Sequence, residues 1–229
     1  MTTLTTRIFQ ARAELDAALA ERLGRALSAP GATAIMLAGG TTPLPAYRTL
    51  AAAALRHDDR LHVLFSDERY VPADSPASNY HQARALLEVL ALPDESLLRV
   101  RTELPLEEAA ARYERELATL LSSGVRIGLG LLGLGADGHT ASLFGAPELE
   151  RARGRYAIAV QRPDGMAAVS VTPELLATVK EPLFVVAGAG KQAAVQALLA
   201  QDRQLTAWRA VQGCTDVELW LAPEDEAHG

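Results

Sequence analysis

The residues best able to do chemistry fall in four short segments, each following a run of apolar residues. The richest is Gly133-Leu134-Gly135-Ala136-Asp137-Gly138-His139-Thr140-Ala141-Ser142-Leu143-Phe144. A histidine on a glycine-flanked turn is open to a ligand, and an imidazole exchanges protons close to neutral pH, which suits general acid–base work. Asp137, two residues before His139, can orient the ring or a substrate hydroxyl. Gly133-x-Gly135-x-x-Gly138 also matches the glycine spacing of a dinucleotide fingerprint, but it falls mid-chain, and such a loop does not ordinarily present Asp and His. A metal site needs more ligands nearby than this stretch offers.

The second segment, Gly39-Gly40-Thr41-Thr42-Pro43, reads as a phosphate cradle: glycines admit an anion close to the backbone, and amides and threonine hydroxyls donate to it. It reads equally as a plain turn with Pro near a helix start. It is not a Walker motif, since no Gly-Lys-Ser/Thr follows. The third, Ser66-Asp67-Glu68-Arg69-Tyr70-Val71-Pro72 with Ser78-Asn79-Tyr80 after it, sets an oxyanion-binding guanidinium beside carboxylates that can orient hydroxyls or fix the arginine. Its plainer readings are a solvated surface ion pair and, for Ser78-Asn79, a helix cap. The fourth, Gly188-Ala189-Gly190-Lys191, places a point charge next to a glycine turn, or an ordinary solvated lysine. His57, His62, His81 and His228 read as surface or packing residues.

The elements that must position these segments follow from periodicity. Residues 11–28 carry apolar positions at helical spacing and stop at Pro30-Gly31. Ala34–Ala38 is then a strand feeding the glycine turn and a helix over 44–55. Leu61–Phe65 is a strand leading through polar residues to a helix at Tyr80–Leu90. A helix over 106–122 precedes a strand at Ile127–Leu132, which enters the Asp-Gly-His turn. Further β signals lie at Tyr156–Val160, Ala168–Thr172, Leu183–Ala187 and Val217–Leu221, with a helix at Lys191–Ala200. Apolar strands alternating with helices predict an α/β fold, a largely parallel sheet covered on both faces in one domain over 1–229. Ligands of such sheets lie outside the carboxyl ends of the strands, where all four segments fall.

Bulk properties narrow the classes further. An apolar share of 49% over 229 residues is ample for a core, and only 5% aromatic residues point to aliphatic helix-on-sheet packing. A formal charge of −6, with no Lys/Arg run, argues against nucleic acid or an anionic membrane as partner, yet a few placed cations still suffice for a small anion. The single cysteine, Cys214, has no internal disulfide partner and no activating neighbour. The N-terminal residues lack a signal peptide's apolar stretch, and no run approaches the ~20 residues of a membrane helix, so the expected compartment is the cytoplasm. The acidic stretch 223–229 reads as a disordered tail.

In register, Ala38-Gly39-Gly40-Thr41-Thr42-Pro43, Asp67-Glu68-Arg69-x-Val71-Pro72 with Ser78-Asn79, the Gly133–Phe144 segment and Gly188-x-x-Lys191 resemble the 6-phosphogluconolactonase family. That family lies within a superfamily that includes the glucosamine-6-phosphate deaminases and isomerases. The resemblance spans nearly the whole chain. It implies a Rossmann-like, sugar-isomerase-like fold, and hydrolysis of 6-phospho-D-glucono-1,5-lactone to 6-phosphogluconate in the oxidative pentose phosphate pathway, without cofactor or metal. It further implies that His139 activates water and that Asp67 and Asp137 position substrate or histidine. Gly39, Gly40, Thr41, Thr42, Arg69 and Lys191 would hold the phosphate and orient the ring. Asn79, Gly138 and Ser142 complete the implied substrate-binding set.

The deaminase branch shares these motifs but typically carries a Glu shortly beyond the His, where this chain has Thr140-Ala141-Ser142-Leu143-Phe144. A non-catalytic sugar-phosphate sensor is the third reading, and it has no need of a titratable residue at His139. Two departures from the family pattern stand out. Ala168-Val169-Ser170 occupies the place of Arg-Val-Thr/Ser, with Arg162 or Arg155 as alternative sources of the charge, and Gly145-Ala146-Pro147 follows Phe144 where Pro usually comes directly.

Overall fold

The structure is a computed structural model that describes residues 2–53 and 55–223; residues 224–229, with His228 and nearly all of the expected acidic tail, lie outside the described residues. Among the described residues, seven parallel strands form one sheet. In chain order they are β1 (Thr3–Ile8), β2 (Thr33–Leu37), β3 (Leu61–Phe65), β5 (Leu97–Leu98), β6 (Arg126–Leu132), β9 (Glu181–Ala187) and β10 (Asp216–Ala222), and they lie side by side as β1-β10-β9-β6-β2-β3-β5. A second, three-stranded antiparallel sheet is ordered β4 (Asp67–Arg69), β8 (Ala167–Val171), β7 (Ala157–Gln161). The helices are α1 (Arg12–Leu27), α2 (Leu44–Ala51), α3 (Asn79–Leu90), α4 (Leu106–Ser122), α5 (Ala146–Arg151), α6 (Pro173–Leu176), α7 (Gln192–Leu199) and α8 (Thr206–Val211).

Side chains alternate across a strand with period two, and here the alternation divides the core cleanly. Ala34 and Met36 of β2 and Phe184 and Val186 of β9 point to the face covered by Tyr113 and Leu117 of α4 and Leu198 of α7. Ile35 and Leu37, with Leu183 and Val185, point the other way, onto Leu15, Leu19 and Leu23 of α1, Tyr47 of α2 and Leu86 of α3. Each fully buried leucine contributes about 1.5–3 kcal/mol by leaving water, so both faces are firmly clad and the strand ends are held in place.

Two buried tyrosines fix the strand ends from which site loops depart. The Tyr47 hydroxyl donates to the Ala38 carbonyl (2.8 Å) and accepts from the Ala38 amide (3.2 Å), one residue past β2. The Tyr113 hydroxyl does the same at Phe65, the last residue of β3 (2.6 and 3.0 Å). Burial pushes both phenols well above their ordinary range, so they serve as neutral hydrogen-bonding groups.

The two strands expected at residues 156–160 and 168–172 are present but belong to the antiparallel sheet, not to the main one. Asp67–Arg69, expected as polar loop, is their third strand: Asp67 pairs with Ser170 and Arg69 with Ala168. The chain thus leaves the end of β3 and at once joins a different sheet, which carries the Asp67 loop across to the β7–β8 hairpin. The helix expected at 44–55 stops at Ala51, and Lys191 falls in a short 3-10 turn, Ala189–Lys191, that precedes α7.

Candidate active site

The four segments line one cleft of about 280 Å³, at the carboxyl ends of β2, β3, β6 and β9. Gly39, Gly40, Thr41 and Thr42 face Asp67, Arg69, Asn79, His139 and Lys191 across it, with Arg162 from the β7–β8 hairpin. A larger groove of about 810 Å³ runs along β5 and α4 past His62, Arg101 and Arg112 and includes none of these segments.

His139 sits on the turn after β6. Its Nδ1 lies 2.5 Å from Asp137 Oδ1, and its backbone amide donates to the same oxygen at 3.2 Å. An acceptor at Nδ1 makes that nitrogen the proton carrier and leaves Nε2 as the basic one. Burial pushes the Asp137 carboxyl up, but the ring and amide bonds from His139, with its charge, outweigh that and hold it below its ordinary value. The ring packs against Phe144, centroids 4.5 Å apart, and a quarter of the side chain remains exposed (26%). Gly135 makes this arrangement possible: a Cβ there would lie 2.1 Å from His139 Nδ1 and 2.5 Å from Asp137 Oδ1.

Asp67 is buried and hydrogen-bonded by its surroundings. Its Oδ2 accepts from the Ser142 hydroxyl (2.7 Å), and its Oδ1 accepts from Ser66 (3.1 Å) and from Asn79 Nδ2 (3.1 Å). Asn79 Nδ2 also donates to the Asp67 carbonyl (2.8 Å), while Asn79 Oδ1 is buried at the cleft wall with no partner among the described residues. Arg69 Nη1 donates to the Ala77 carbonyl (2.9 Å), which anchors the guanidinium against the loop before α3.

Some expected residues stand back from the cleft. Ser142 is fully buried behind Asp67, with its amide on Ser170 Oγ (3.0 Å) and its hydroxyl on the carboxylate, so it holds Asp67 rather than lining the cleft. Gly138 turns at φ 83° with Leu205 against it and is likewise not a lining residue. The Gly40 amide donates to Gln82 Oε1 (3.0 Å), so that member of the cradle is already engaged by α3. Ser78 caps α3 by accepting from the His81 amide (3.1 Å), and Asn79 begins the helix.

Glu68 is a partner the sequence reading passed over. In β4 it points away from Asp67 and Arg69, as strand alternation requires, and accepts from the amides of Asn79 (2.7 Å) and Tyr80 (2.8 Å) and from Ser78 Oγ (3.1 Å). Burial raises its carboxyl above the ordinary value despite these donors. Three residues of strand are too few to show a period, so no sequence pattern pointed to it. Of the two arginines considered for the charge absent at Ala168, Arg162 lines the cleft, whereas Arg155 is exposed before β7 begins. Among the described residues, no group of three or more His, Cys, Asp or Glu could hold a metal ion, and no helix is long and apolar enough to cross a membrane.

Comparison with known proteins agrees with this architecture. A family model described as glucosamine-6-phosphate isomerases/6-phosphogluconolactonase matches residues 9–220. A 6-phosphogluconolactonase of Synechocystis is 39% identical over 190 residues, 79% of this chain and 77% of the relative. The solved 6-phosphogluconolactonase from Trypanosoma brucei superposes with a TM-score of 0.82 at 27% identity, covering 96% of each chain. A monomeric glucosamine-6-phosphate deaminase superposes with a TM-score of 0.80 over 95% of this chain at 18% identity, a likeness of fold alone. The chain therefore belongs to the glucosamine-6-phosphate isomerase/6-phosphogluconolactonase family.

Proposed function

We propose that this protein hydrolyses 6-phospho-D-glucono-1,5-lactone to 6-phospho-D-gluconate, with His139 as general base. The observation that carries the reading is His139, held by Asp137 at 2.5 Å, on the cleft that also holds Arg69, Lys191 and the Gly39–Thr42 loop. The 6-phosphogluconolactonase identity of relatives such as the Synechocystis protein supports the same chemistry.

In this mechanism Asp137 keeps the proton on Nδ1, and Nε2 takes a proton from water as its oxygen attacks the C1 carbonyl. The tetrahedral intermediate collapses by breaking the bond between C1 and the ring oxygen, which receives the proton from the imidazolium. An activated ester needs no covalent nucleophile for this, only a positioned water, a base and donors for the anionic oxygens. Arg69, Lys191 and the Gly39–Thr42 loop hold the phosphate, and Asp67 and Asn79 Oδ1 accept from the sugar hydroxyls. The protein as a whole acts as one catalytic unit on a small sugar-acid phosphate.

A coupled assay with freshly generated lactone tests the reading: a rate no faster than spontaneous hydrolysis rejects it. The deaminase alternative is disfavoured by the absence of a carboxylate in Thr140–Phe144, and ammonia release from glucosamine 6-phosphate would revive it. Tight sugar-phosphate binding without turnover of either compound would point to the sensor.

A further inference from the structure

The Arg162 guanidinium is held in place before any ligand arrives. Its Nε and Nη2 engage the Asp164 carboxylate (Nη2–Oδ2 2.9 Å), its Nη1 donates to Ser142 Oγ (3.3 Å), and its Cζ stands 5.2 Å from the centre of the Phe144 ring. The side chain is only 13% exposed, and what remains accessible borders the cleft. A guanidinium has five N–H groups. Asp164 takes one on Nε and one on Nη2, and Ser142 takes one on Nη1, which leaves one on each terminal nitrogen. A remaining hydrogen on each terminal nitrogen can donate to the oxygens of one anion.

The hairpin does not need this side chain in order to close. The Arg162 amide donates to the Met166 carbonyl (2.8 Å), the Gly165 amide donates to the Arg162 carbonyl (3.1 Å), and Asp164 Oδ1 accepts from the Met166 amide (3.1 Å). The charge balance points the same way. Apart from His139, the ionisable side chains lining the cleft among the described residues are Asp67, Arg69, Arg162 and Lys191, three cations against one carboxylate. A phosphate monoester carries roughly −1.5 to −2 at neutral pH, which this excess of two matches and which Arg69 and Lys191 alone, offset by Asp67, do not. Asp164 lies outside the cleft lining and is 42% exposed, so solvent screens it from the ligand more than it screens Arg162.

We propose that Arg162 is a substrate-binding residue that grips the phosphate through its two remaining N–H groups, with Asp164 and Phe144 as the positioning residues that keep the guanidinium at the cleft. The identity of the anion rests on the hydrolase reading above; the existence of an anion grip at Arg162 does not. Because the guanidinium is already ordered, binding costs little side-chain entropy.

The test is calorimetric titration of 6-phosphogluconate and of inorganic phosphate into the wild-type protein, Arg162→Ala, Arg162→Lys and Arg155→Ala, alongside steady-state kinetics with the lactone. Arg162→Ala is expected to weaken both ligands roughly 10- to 100-fold. KM should rise in parallel while kcat stays within roughly threefold. Arg162→Lys keeps a charge but not the guanidinium and should fall between the two, and Arg155→Ala should bind as the wild type does. Wild-type affinity in Arg162→Ala, or in a folded Arg162→Lys, overturns the proposal, as does a fall in kcat with KM unchanged. A wild-type protein that binds these anions but leaves the lactone to hydrolyse spontaneously sinks the hydrolase reading and not this one.

Discussion

Asp137 Oδ1 receives both the ring Nδ1 and the backbone amide of His139, so a single oxygen fixes the ring's orientation and its tautomer. Removing the imidazole should therefore differ in kind from loosening it. His139→Ala is expected to lower kcat by roughly 10²- to 10⁴-fold with little change in stability, since the side chain is partly exposed. Asp137→Asn keeps the base but loses the charged acceptor and should lower kcat by roughly 10- to 100-fold, less than loss of the base itself. Stopped assays against the spontaneous rate measure both, and a fully active His139→Ala protein removes the proposed mechanism.

Gly39 and Asn79 cannot both keep their places if the glycine gains a side chain. A Cβ at Gly39 would lie 1.9 Å from Asn79 Oδ1, and Asn79, with Ser66 and Ser142, ties down Asp67. Gly39→Ala should reduce kcat/KM by at least roughly tenfold through displacement of that amide. The cause is separable by a double-mutant cycle: Gly39→Ala in an Asn79→Ala background should cost almost nothing further. Full additivity would show that the loop itself, and not its contact with Asn79, is what the alanine disturbs.

The parts of this molecule legible from sequence are those where periodicity and position agree. β2, β3, β6 and β9 carry apolar residues toward both faces because helices cover both; β2, β6 and β9 run straight into glycine turns and β3 into a polar stretch, so the loops that form the cleft could be named in advance. β4 could not: three residues are too few to show a period, and its partner is set by Ser170 and Ala168, far along the chain. β1 was equally silent, because five of its six residues are exposed at the sheet edge and carry no buried face. Four- and six-residue helices such as α6 and α8 fall below any helical window. At the site, residue types singled out the Asp137-Gly138-His139 turn, but not which amide of the Gly39–Thr42 loop was already engaged, nor that Ser142 would turn inward. Those depend on Gln82 and Asp67, residues distant in sequence whose side chains meet the loops only after folding.

The raised carboxyl of Glu68 has a defined sign in stability. A folded-state value above the ordinary 4.5 means that the native protein binds the proton more tightly than the unfolded chain. Its contribution is fully present below that value and is lost as pH rises through the folded one. Glu68→Gln lacks this titration. The advantage of wild type over Glu68→Gln in thermal midpoint should therefore shrink as pH rises above the ordinary carboxylate value of 4.5. An advantage that grows with pH would mean that the amides of Asn79 and Tyr80 stabilise the carboxylate more than burial penalises it.

Tyr47 places the strand-end device and the site in one experiment. Tyr47→Phe removes the hydroxyl that satisfies both the amide and the carbonyl of Ala38, the residue at the mouth of the glycine loop. Leaving that buried pair without a partner should cost about 1–3 kcal/mol, read as a lower denaturant midpoint at unchanged slope. In a chain of this size each kcal/mol lowers the thermal midpoint by about 2–4 °C. Tyr113→Phe, which strips the matching bonds at Phe65, should cost a similar amount. The two should differ in catalysis: Tyr47→Phe frees the start of the Gly39–Thr42 loop and should raise KM, whereas Tyr113→Phe acts at the end of β3, from which the Asp67 strand departs, and should disturb the carboxylate's setting. Equal stability losses with wild-type kinetics in both would show that the loops hold their shape without the tyrosine anchors, and would leave the hydrogen bonds of Asp67, Asn79 and Gln82 as the restraint that matters.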